Sequence, residues 1–321
     1  MSEYESKNIV NFSLVGQTAT GKTSLAESIL YISKKIHKRG NISNGTTASD
    51  YRDYEIKNNH SVALTLLNFD YNDKKFNLID APGNFDFLGE LECATKVCDV
   101  NAIVVNPTGE VDLGTEIAFE ASKKHNSSSV FVINLLDREQ SDFDQTLIAL
   151  RNRFGISVMP FTIPINTGEN FSEVGSILDK KIFKYSTDGN GTVSDISPDS
   201  TWESKLQEYY DELVELIAGT DEALMESYFE NGELSTEQLI NGIKKSMVEN
   251  NIFPVFCVSG EKNIGVKTFI DLFSQYAPTA DLFLDNNNNN TSMLVFKTIN
   301  EEHIGELSFF KVHSGELKTG E

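Results

Sequence analysis

A glycine-rich loop near the start of the chain restricts the possible folds more than any other feature. Residues 16–23 read Gly-Gln-Thr-Ala-Thr-Gly-Lys-Thr and fit the pattern G-x-x-x-x-G-K-S/T. The loop follows an apolar run over residues 9–15 and precedes an amphipathic stretch over residues 23–36. Backbone N–H groups in such a loop close around phosphate oxygens, and the helix start adds a positive dipole. The pattern predicts an α/β fold with Lys22 on the β- and γ-phosphates and Thr23 on Mg²⁺.

A second motif, Asp80-Ala81-Pro82-Gly83, ends the strand-like run over residues 75–79. The Asp80 carboxylate can reach Mg²⁺, usually through water, and the Gly83 N–H can meet a γ-phosphate. D-x-P-G is also a common turn. Downstream of a phosphate-binding loop, however, we interpret it as the second phosphate element.

A third motif predicts the base. Residues 134–137 read Asn-Leu-Leu-Asp and follow the apolar run over residues 130–133. In an N-x-x-D motif the carboxylate of Asp137 can accept two hydrogen bonds from guanine and would repel adenine. We therefore expect GTP or GDP as the nucleotide.

A fourth element follows the apolar run over residues 254–259, where Ser259 and Gly260 are expected to place a backbone N–H on the guanine O6. Each element is weak alone. All four follow predicted strands, and the carboxyl ends of strands are where an α/β sheet binds its ligand.

The chain alternates strand-like runs, such as residues 61–69, with helical runs, but this pattern is interrupted after residue 158. The interruption contains a strand-like run over residues 159–165, a polar stretch over 187–200 and helical runs over 202–216 and 222–230. The first pattern resumes near residue 254 and ends in a helical run over residues 266–276. Asp285 and the five asparagines after it cannot bury apolar area and suggest a linker. Two alternating runs, at residues 294–299 and 305–312, suggest the beginning of a β-barrel that is cut short, as in a fragment. The predicted division is a first part of the α/β domain (1–158), an inserted α+β subdomain (159–250), the last strand and helix of the first domain (251–280), a linker (281–292) and the start of a β-barrel (293–321).

The charge excludes one class of function. A formal net charge of −21 argues against a broad nucleic-acid-binding face, which must be basic, so we expect no DNA partner and only local RNA contact.

The sequence has no apolar stretch of membrane-spanning length and no signal-peptide pattern, so a cytoplasmic monomer is expected. Cys93, Cys98 and Cys257 are expected to be buried reduced thiols, and the histidines have no zinc-site spacing.

Together these motifs resemble the elongation factor G family of translational GTPases, over essentially the whole chain. The stretches that carry the resemblance are residues 44–50 with Glu55 and Ser61 (first switch segment), 80–87 (second switch segment), 110–116, 134–138, 254–266, 296–298 and 305–312. The resemblance implies a GTPase domain with the family's G′ subdomain inserted and a barrel after it. It also implies action on the ribosome in translation elongation and translocation, with Mg²⁺ as cofactor and ribosomal RNA and the stalk protein as partners.

The chain departs from the family pattern at several positions. Asn84 stands where translocases carry a histidine that positions the attacking water, so slow hydrolysis is expected. Leu135 replaces the lysine of N-K-x-D, which predicts retained guanine selectivity with weaker affinity. Ser61 replaces a switch threonine on Mg²⁺ and retains a hydroxyl. Ala19 replaces an acidic residue.

Three alternatives remain open: a non-hydrolysing, guanine-nucleotide-sensing regulator on the ribosome, a ribosomal protection factor that displaces tetracycline, and an unrelated ATP-dependent enzyme. The predicted catalytic residues are Lys22, Gly83 and Asn84, and the predicted metal ligands are Thr23, Ser61 and Asp80. The predicted nucleotide-binding residues are Gly16, Gln17, Thr18, Ala19, Thr20, Gly21, Lys22, Thr23, Ser24, Asp80, Asn134, Leu135, Asp137, Ser259 and Gly260.

Overall fold

The computed structural model describes residues 4–284, 290–301, 303, 305–318 and 320. Its strands are β1 (Ile9–Val15), β2 (Thr65–Tyr71), β3 (Lys74–Asp80), β4 (Val100–Val105), β5 (Ser128–Ile133), β6 (Val158–Pro160), β7 (Thr162–Pro164), β8 (Glu173–Ser176), β9 (Lys181–Tyr185), β10 (Val193–Ile196), β11 (Phe253–Cys257), β12 (Ser292–Glu301) and β13 (Gly305–Ser314). Its α-helices are α1 (Lys22–Ile32), α2 (Asp53–Asn58), α3 (Leu88–Val97), α4 (Leu113–Lys124), α5 (Phe143–Phe154), α6 (Ser200–Ala218), α7 (Glu222–Asn231), α8 (Thr236–Val248) and α9 (Val266–Tyr276).

The main sheet has the strand order β2-β3-β1-β4-β5-β11-β6 within the described residues. Its strands pair in parallel, except that the edge strand β2 runs antiparallel to β3. Asn72 and Asp73 join these two strands with φ angles of 47° and 59°, as a tight hairpin turn requires. Every residue of β4 and β5 is buried, because helices cover both faces of the sheet. The predicted α/β class is confirmed.

The helices form one hydrophobic core on each face of the sheet. Helices α1, α8 and α9 contribute to one core, and α3, α4 and α5 contribute to the other. In the first core the Phe12 ring lies 5.0 Å from Phe273 and 6.2 Å from Phe76, measured between centroids. Burying one such ring stabilises the fold by roughly 2 to 3 kcal/mol. These cores fix the strand ends at which the predicted motifs lie.

A second, antiparallel sheet of order β10-β9-β8-β7 lies in the predicted insertion, together with α6, α7 and α8. The prediction of one strand over residues 159–165 was wrong, because Val158–Pro160 pairs with β11 in the main sheet and Thr162–Pro164 pairs with β8. Strand β9 of this sheet is tied to helix α9 where Tyr185 accepts a hydrogen bond from the Thr268 N–H at 2.9 Å. The domain boundary at residues 158 and 159 stays a prediction.

Several predicted element bounds differ from the structure. Helix α1 ends at Ile32 rather than at residue 36, since Lys34 has a φ of 60°. The strand expected over residues 61–69 begins only at Thr65. Helix α8 was not predicted, and β10 lies within a run that looked irregular.

After α9 the chain forms the antiparallel hairpin of β12 and β13, which matches the two alternating runs expected for a barrel start. Lys311 of this hairpin donates hydrogen bonds to the Val97 carbonyl at 2.9 Å and to the Asp99 carboxylate, and so attaches the hairpin to the end of α3. The predicted linker run lies mostly outside the described residues, since residues 285–289 are not among them. Across the described ranges, no helix has the length and apolar character needed to span a bilayer.

Candidate nucleotide-binding site

A cleft of about 740 Å³ opens where the predicted motifs meet, at the carboxyl ends of the main-sheet strands. Its lining includes many of the predicted residues, namely Thr18, Ala19, Gly21, Lys22, Thr23, Ser24, Ser61, Gly83, Asn84, Leu135 and Gly260. Thr47 and Asp50 of the first switch segment also line the cleft, as does His60, the residue before Ser61. A volume of this size is typical of small-molecule sites.

The phosphate loop, residues 16–23, joins β1 to α1 and requires glycine at both ends. Gly16 has a φ of 123°, and a Cβ there would lie 2.6 Å from the Val104 carbonyl oxygen. Gly21 has a φ of 80°, and a Cβ there would lie 2.6 Å from the Asn134 side chain. The Thr20 hydroxyl donates to the Gln17 carbonyl at 3.0 Å. The loop therefore has the conformation that only this spacing of glycines permits.

Lys22 is buried at the floor of the cleft, where it holds the phosphate loop together. Its Nζ donates to the Gly16 carbonyl at 3.0 Å and to the Gln17 carbonyl at 2.7 Å. Burial lowers the pKa of Lys22 to about 8, against the opposing effects of Asp80 and Asp112. A phosphate at this position would favour the charged lysine.

Oxygen ligands suited to Mg²⁺ lie beside this lysine. Thr23 Oγ1 donates to Asp80 Oδ2 at 2.9 Å and lies 3.4 Å from Ser61 Oγ. Asp80 Oδ1 is buried with no hydrogen-bond partner among the described residues, and burial raises the pKa of Asp80 to about 6. Hard oxygen donors and an unpartnered carboxylate oxygen fit Mg²⁺, which binds through one or two carboxylates together with substrate phosphates. The residues present thus fit the cofactor.

Within the second switch segment, Gly83 packs on the phosphate loop. A Cβ at Gly83 would lie 2.6 Å from the Gly16 carbonyl oxygen and would also meet Lys22 Nζ. The next residue, Asn84, is half-buried on the cleft wall. Asn84 caps a short 3₁₀ turn by accepting a hydrogen bond from the Asp86 N–H at 3.1 Å.

Asn134 is the buried link between the phosphate loop and the base loop, which we define as residues 259–263. Its amide Nδ2 donates to the Thr20 carbonyl at 2.8 Å, and its Oδ1 accepts the Gly260 N–H at 2.9 Å. Leu135 follows with a positive φ of 61°, and its side chain is buried against Gly21. The first residue of N-x-x-D therefore positions two loops.

Asp137 lies beside the base loop, although it is not part of the cleft lining. Its Oδ2 is 3.8 Å from Lys262 Nζ. Its Oδ1 is buried and has no partner in the described part of the chain. An unpartnered acceptor of this kind is costly unless a ligand supplies the donor.

The backbone N–H groups of Ser259 and Gly260, which are expected to contact guanine, form hydrogen bonds within the chain. The Ser259 N–H donates to the Ile264 carbonyl at 2.8 Å, and the Gly260 N–H is already used by Asn134. Both N–H groups therefore have acceptors within the chain. Both residues still shape the base loop, and their contact with the nucleotide stays a prediction.

Two buried glutamates hold the first switch segment, and one of them, Glu27, was not among the predicted residues. Glu27 of α1 accepts hydrogen bonds from the Gly40 N–H at 2.6 Å and the Ala48 N–H at 2.5 Å. Glu55 accepts the Val62 N–H at 3.2 Å. Glu27 lies on the apolar face of α1, three residues before Leu30, and this position was the available sequence signal.

Two further expectations concern sulfur and metals. Cys98 and Cys257 are buried free thiols, as expected, whereas Cys93 is only half-buried. Within the described ranges, no group of three or more His, Cys, Asp or Glu side chains is placed to hold a metal ion by itself.

Comparison with known proteins agrees with this geometry. Residues 7–279 match the sequence profile of the Elongation factor Tu GTP binding domain. Elongation factor G of Mycoplasma genitalium and elongation factor G 1 of Syntrophomonas wolfei are each 27% identical to the chain, over 331 and 330 residues. Each alignment covers 98% of this chain, but only 48% and 49% of the respective relatives. The chain therefore spans about half the length of the curated relatives it matches.

A solved structure supports the same assignment. A crystal structure of a protein from Thermus thermophilus superimposes with a TM-score of 0.89 and 26% sequence identity. The match covers 98% of this chain and 47% of that one. The chain belongs to the family of the elongation factor Tu GTP-binding domain, as a translational GTPase of the elongation factor G type.

Proposed function

We propose that the cleft binds GTP and GDP with Mg²⁺, and that the protein acts on the ribosome in translation elongation with slow GTP hydrolysis. One observation carries the nucleotide assignment: the carboxylates of two predicted motifs, Asp80 and Asp137, each have an Oδ1 that is buried without a partner among the residues described. The first belongs to the phosphate motif and the second to the base motif. A guanine nucleotide with its metal supplies the missing partner at both.

The base end favours guanine over adenine. Asp137 needs hydrogen-bond donors, and guanine offers N1–H and the 2-amino group side by side. Adenine presents an acceptor at N1, which an ionised carboxylate repels. A site built around a buried carboxylate discriminates strongly, because the wrong base leaves that group unpaired.

At the phosphate end, the residues have distinct roles. When a nucleotide binds, Lys22 exchanges its hydrogen bonds to the Gly16 and Gln17 carbonyls for bonds to phosphate oxygens. The backbone N–H groups of the phosphate loop bind the same phosphates. Thr23, Ser61 and Asp80 would hold Mg²⁺, directly or through water. The chemistry that Mg²⁺ supplies there is neutralisation of charge on the β- and γ-phosphates.

Slow hydrolysis follows from Asn84. Its side-chain oxygen already accepts the Asp86 N–H with one of its two lone pairs, and a neutral amide oxygen is a weaker acceptor than an imidazole nitrogen for the proton of an attacking water. Activation of a water requires an acceptor for its proton. The loss of one well-placed transition-state group costs a factor of about 100 to 1,000 in rate.

Action on the ribosome is supported by the elongation factor G relatives, with ribosomal RNA and the stalk protein as partners and the cytoplasm as the location. The net charge of −21 restricts contact with RNA to local surfaces. The family role also favours a monomer. The chain covers only 48% and 49% of those relatives' length, and translocation is proposed from the family resemblance.

A second candidate function is a guanine-nucleotide sensor on the ribosome that does not hydrolyse GTP. The engaged oxygen of Asn84 favours it, because the same observation that slows hydrolysis can abolish it. Asn84 argues against a tetracycline ribosomal protection factor, since such proteins are usually built with the histidine.

Equilibrium binding of fluorescent GTP, GDP and ATP analogues in the presence of Mg²⁺ tests the proposal. We expect selective guanine binding in the wild type, and loss of binding in both Lys22→Ala and Asp137→Ala. Single-turnover hydrolysis with and without ribosomes then separates a slow GTPase from a sensor. Absence of binding, or equal binding of ATP, would refute the nucleotide assignment.

A further inference from the structure

Arg39 connects three parts of the protein through a single nitrogen. Its Nη1 donates to Ser28 Oγ at 2.9 Å, to the Gly260 carbonyl at 3.2 Å and to the Glu261 carbonyl at 2.9 Å. Ser28 belongs to α1, and the two carbonyls belong to the base loop. Arg39 is half-buried and lines the nucleotide cleft. None of the four sequence motifs contains it.

These bonds fix the direction of two successive peptide groups. Ser28 Oγ also donates to the Gly260 carbonyl, at 2.6 Å. In a trans peptide the C=O and the following N–H point in opposite directions. Holding the Gly260 carbonyl towards Ser28 and Arg39 therefore directs the Glu261 N–H away from them.

The backbone around Arg39 is itself held in place. Gly40, the next residue, donates its N–H to Glu27 of α1 at 2.6 Å, and Glu27 is 2% exposed. Glu27 is adjacent to Ser28, so one turn of α1 anchors both the segment that carries Arg39 and the carbonyl that Arg39 binds. The guanidinium has little freedom to leave the base loop.

We propose that Arg39 is a positioning residue for guanine recognition, which orients the base loop so that the Glu261 N–H meets the guanine O6. The Gly260 N–H is not available for this role, because Asn134 Oδ1 accepts it at 2.9 Å. Asp137 then recognises the N1 and 2-amino edge, and the loop held by Arg39 recognises O6. This inference rests on the proposed binding of guanine nucleotides.

The test compares nucleoside diphosphates that differ at position 6 of the base. GDP and IDP carry the 6-oxo group, whereas the diphosphate of 2-aminopurine riboside does not. Arg39→Met should weaken binding of GDP and IDP about tenfold and leave the 2-aminopurine nucleotide unchanged, since only the former lose an oriented hydrogen bond. Arg39→Lys, which keeps a cationic donor, should recover part of the loss. Lys38→Met is the matched control, because Lys38 is the exposed neighbouring cation.

Ser28→Ala removes a hydrogen bond from the same carbonyl and provides an independent result if Arg39→Met does not fold. An equal loss for all three nucleotides, in either variant, would overturn the proposal and leave Arg39 as a structural brace. Unchanged GDP binding in both variants would also overturn it. A wild-type protein that does not prefer GDP to the 2-aminopurine nucleotide would refute the proposed function and, with it, this inference. A wild type that prefers GDP, with variants that retain the full preference, would refute the inference alone.

Discussion

Asn84 Oδ1 accepts a hydrogen bond from the Asp86 N–H at 3.1 Å, so the side-chain oxygen of this cleft-lining residue is engaged within its own turn. The bond caps the 3₁₀ helix Phe85–Phe87, which lies in the second switch segment. A residue that caps a turn and also orients water must divide one oxygen between two tasks. This relationship links a local conformational preference to the rate of the proposed reaction.

Asn84→His should raise the rate of GTP hydrolysis about 100-fold, because an imidazole nitrogen can accept the hydrogen bond of an attacking water. The measurement is single-turnover phosphate release from GTP, with and without ribosomes. Asn84→Ala is the control, since it loses the cap without gaining an acceptor and should not accelerate hydrolysis. If the wild type and Asn84→His release phosphate at the same rate, Asn84 does not limit turnover.

Gly83→Ala should weaken GDP binding at least tenfold. A Cβ there would lie 2.6 Å from the Gly16 carbonyl oxygen and 2.7 Å from the Gln17 carbonyl carbon, and backbone atoms cannot yield as a side-chain end can. Overpacking of this kind typically costs about 1 to 3 kcal/mol, and here it falls on the phosphate loop. Titration with a fluorescent GDP analogue measures the effect.

The matched control is Gly89→Ala on α3, where no described heavy atom lies within 4 Å of the added Cβ. Alanine favours a helix over glycine by up to about 1 kcal/mol, so this variant should bind GDP normally and unfold at a slightly higher temperature. Normal GDP binding by Gly83→Ala would mean that the phosphate loop moves easily.

Lys311→Met should destabilise the protein by roughly 3 to 5 kcal/mol, because it leaves the carboxylate of Asp99 buried without its cation. Asp99 is 2% exposed, and burial raises its pKa. Adding Asp99→Asn to Lys311→Met should restore much of the loss. Denaturant unfolding of the two single variants and the double variant measures the coupling between these residues.

Lys181→Met is the control for that cycle, since Lys181 and its partner Asp195 are mostly exposed, with side-chain exposures of 55% and 61%. An exposed ion pair contributes only about 0 to 1 kcal/mol. If Lys311→Met costs no more than Lys181→Met, the hairpin is not held by Asp99.

Local patterns predicted the parts of the fold that depend on local physics. Strand β1 and helix α9 have the predicted bounds, because their hydrophobic periodicity and flanking glycines act within a few residues. Helix α8 was missed although Ser235 and Gln238 form a capping box at its start. Its signal was present in the sequence and was overlooked within a polar region.

The candidate site was predictable to the extent that its residues form contiguous motifs. Glu27 and Arg39 act through contacts with residues distant along the chain, and Arg39 reaches Glu261, 222 positions away. No local pattern specifies such a contact. Likewise, the Gly260 N–H binds Asn134, 126 positions away, and a sequence motif does not specify which donors the fold itself pairs.

The stability of the nucleotide-free protein should depend on the ionisation of Asp80. Burial raises the pKa of Asp80 to about 6 in the folded state, above the ordinary value of 3.8. The folded state therefore holds this proton more tightly than the unfolded state, so the stabilisation is complete below pH 3.8 and is lost as the pH rises through 6. The asparagine in Asp80→Asn is uncharged at every pH, so this variant lacks the pH dependence of stability that Asp80 causes.

We expect the stability of Asp80→Asn relative to wild type to increase by about 2 kcal/mol between roughly pH 4.5 and roughly pH 7.5. Urea unfolding of both proteins at the two pH values measures this difference. The effects of all other titrating groups are the same in both proteins and cancel when the two free energies of unfolding are subtracted. Saturating GDP and Mg²⁺ should abolish the wild-type disadvantage at the higher pH, because an ionised Asp80 then has its partner. A difference that does not change with pH would mean that Asp80 is already ionised and solvated in the nucleotide-free protein.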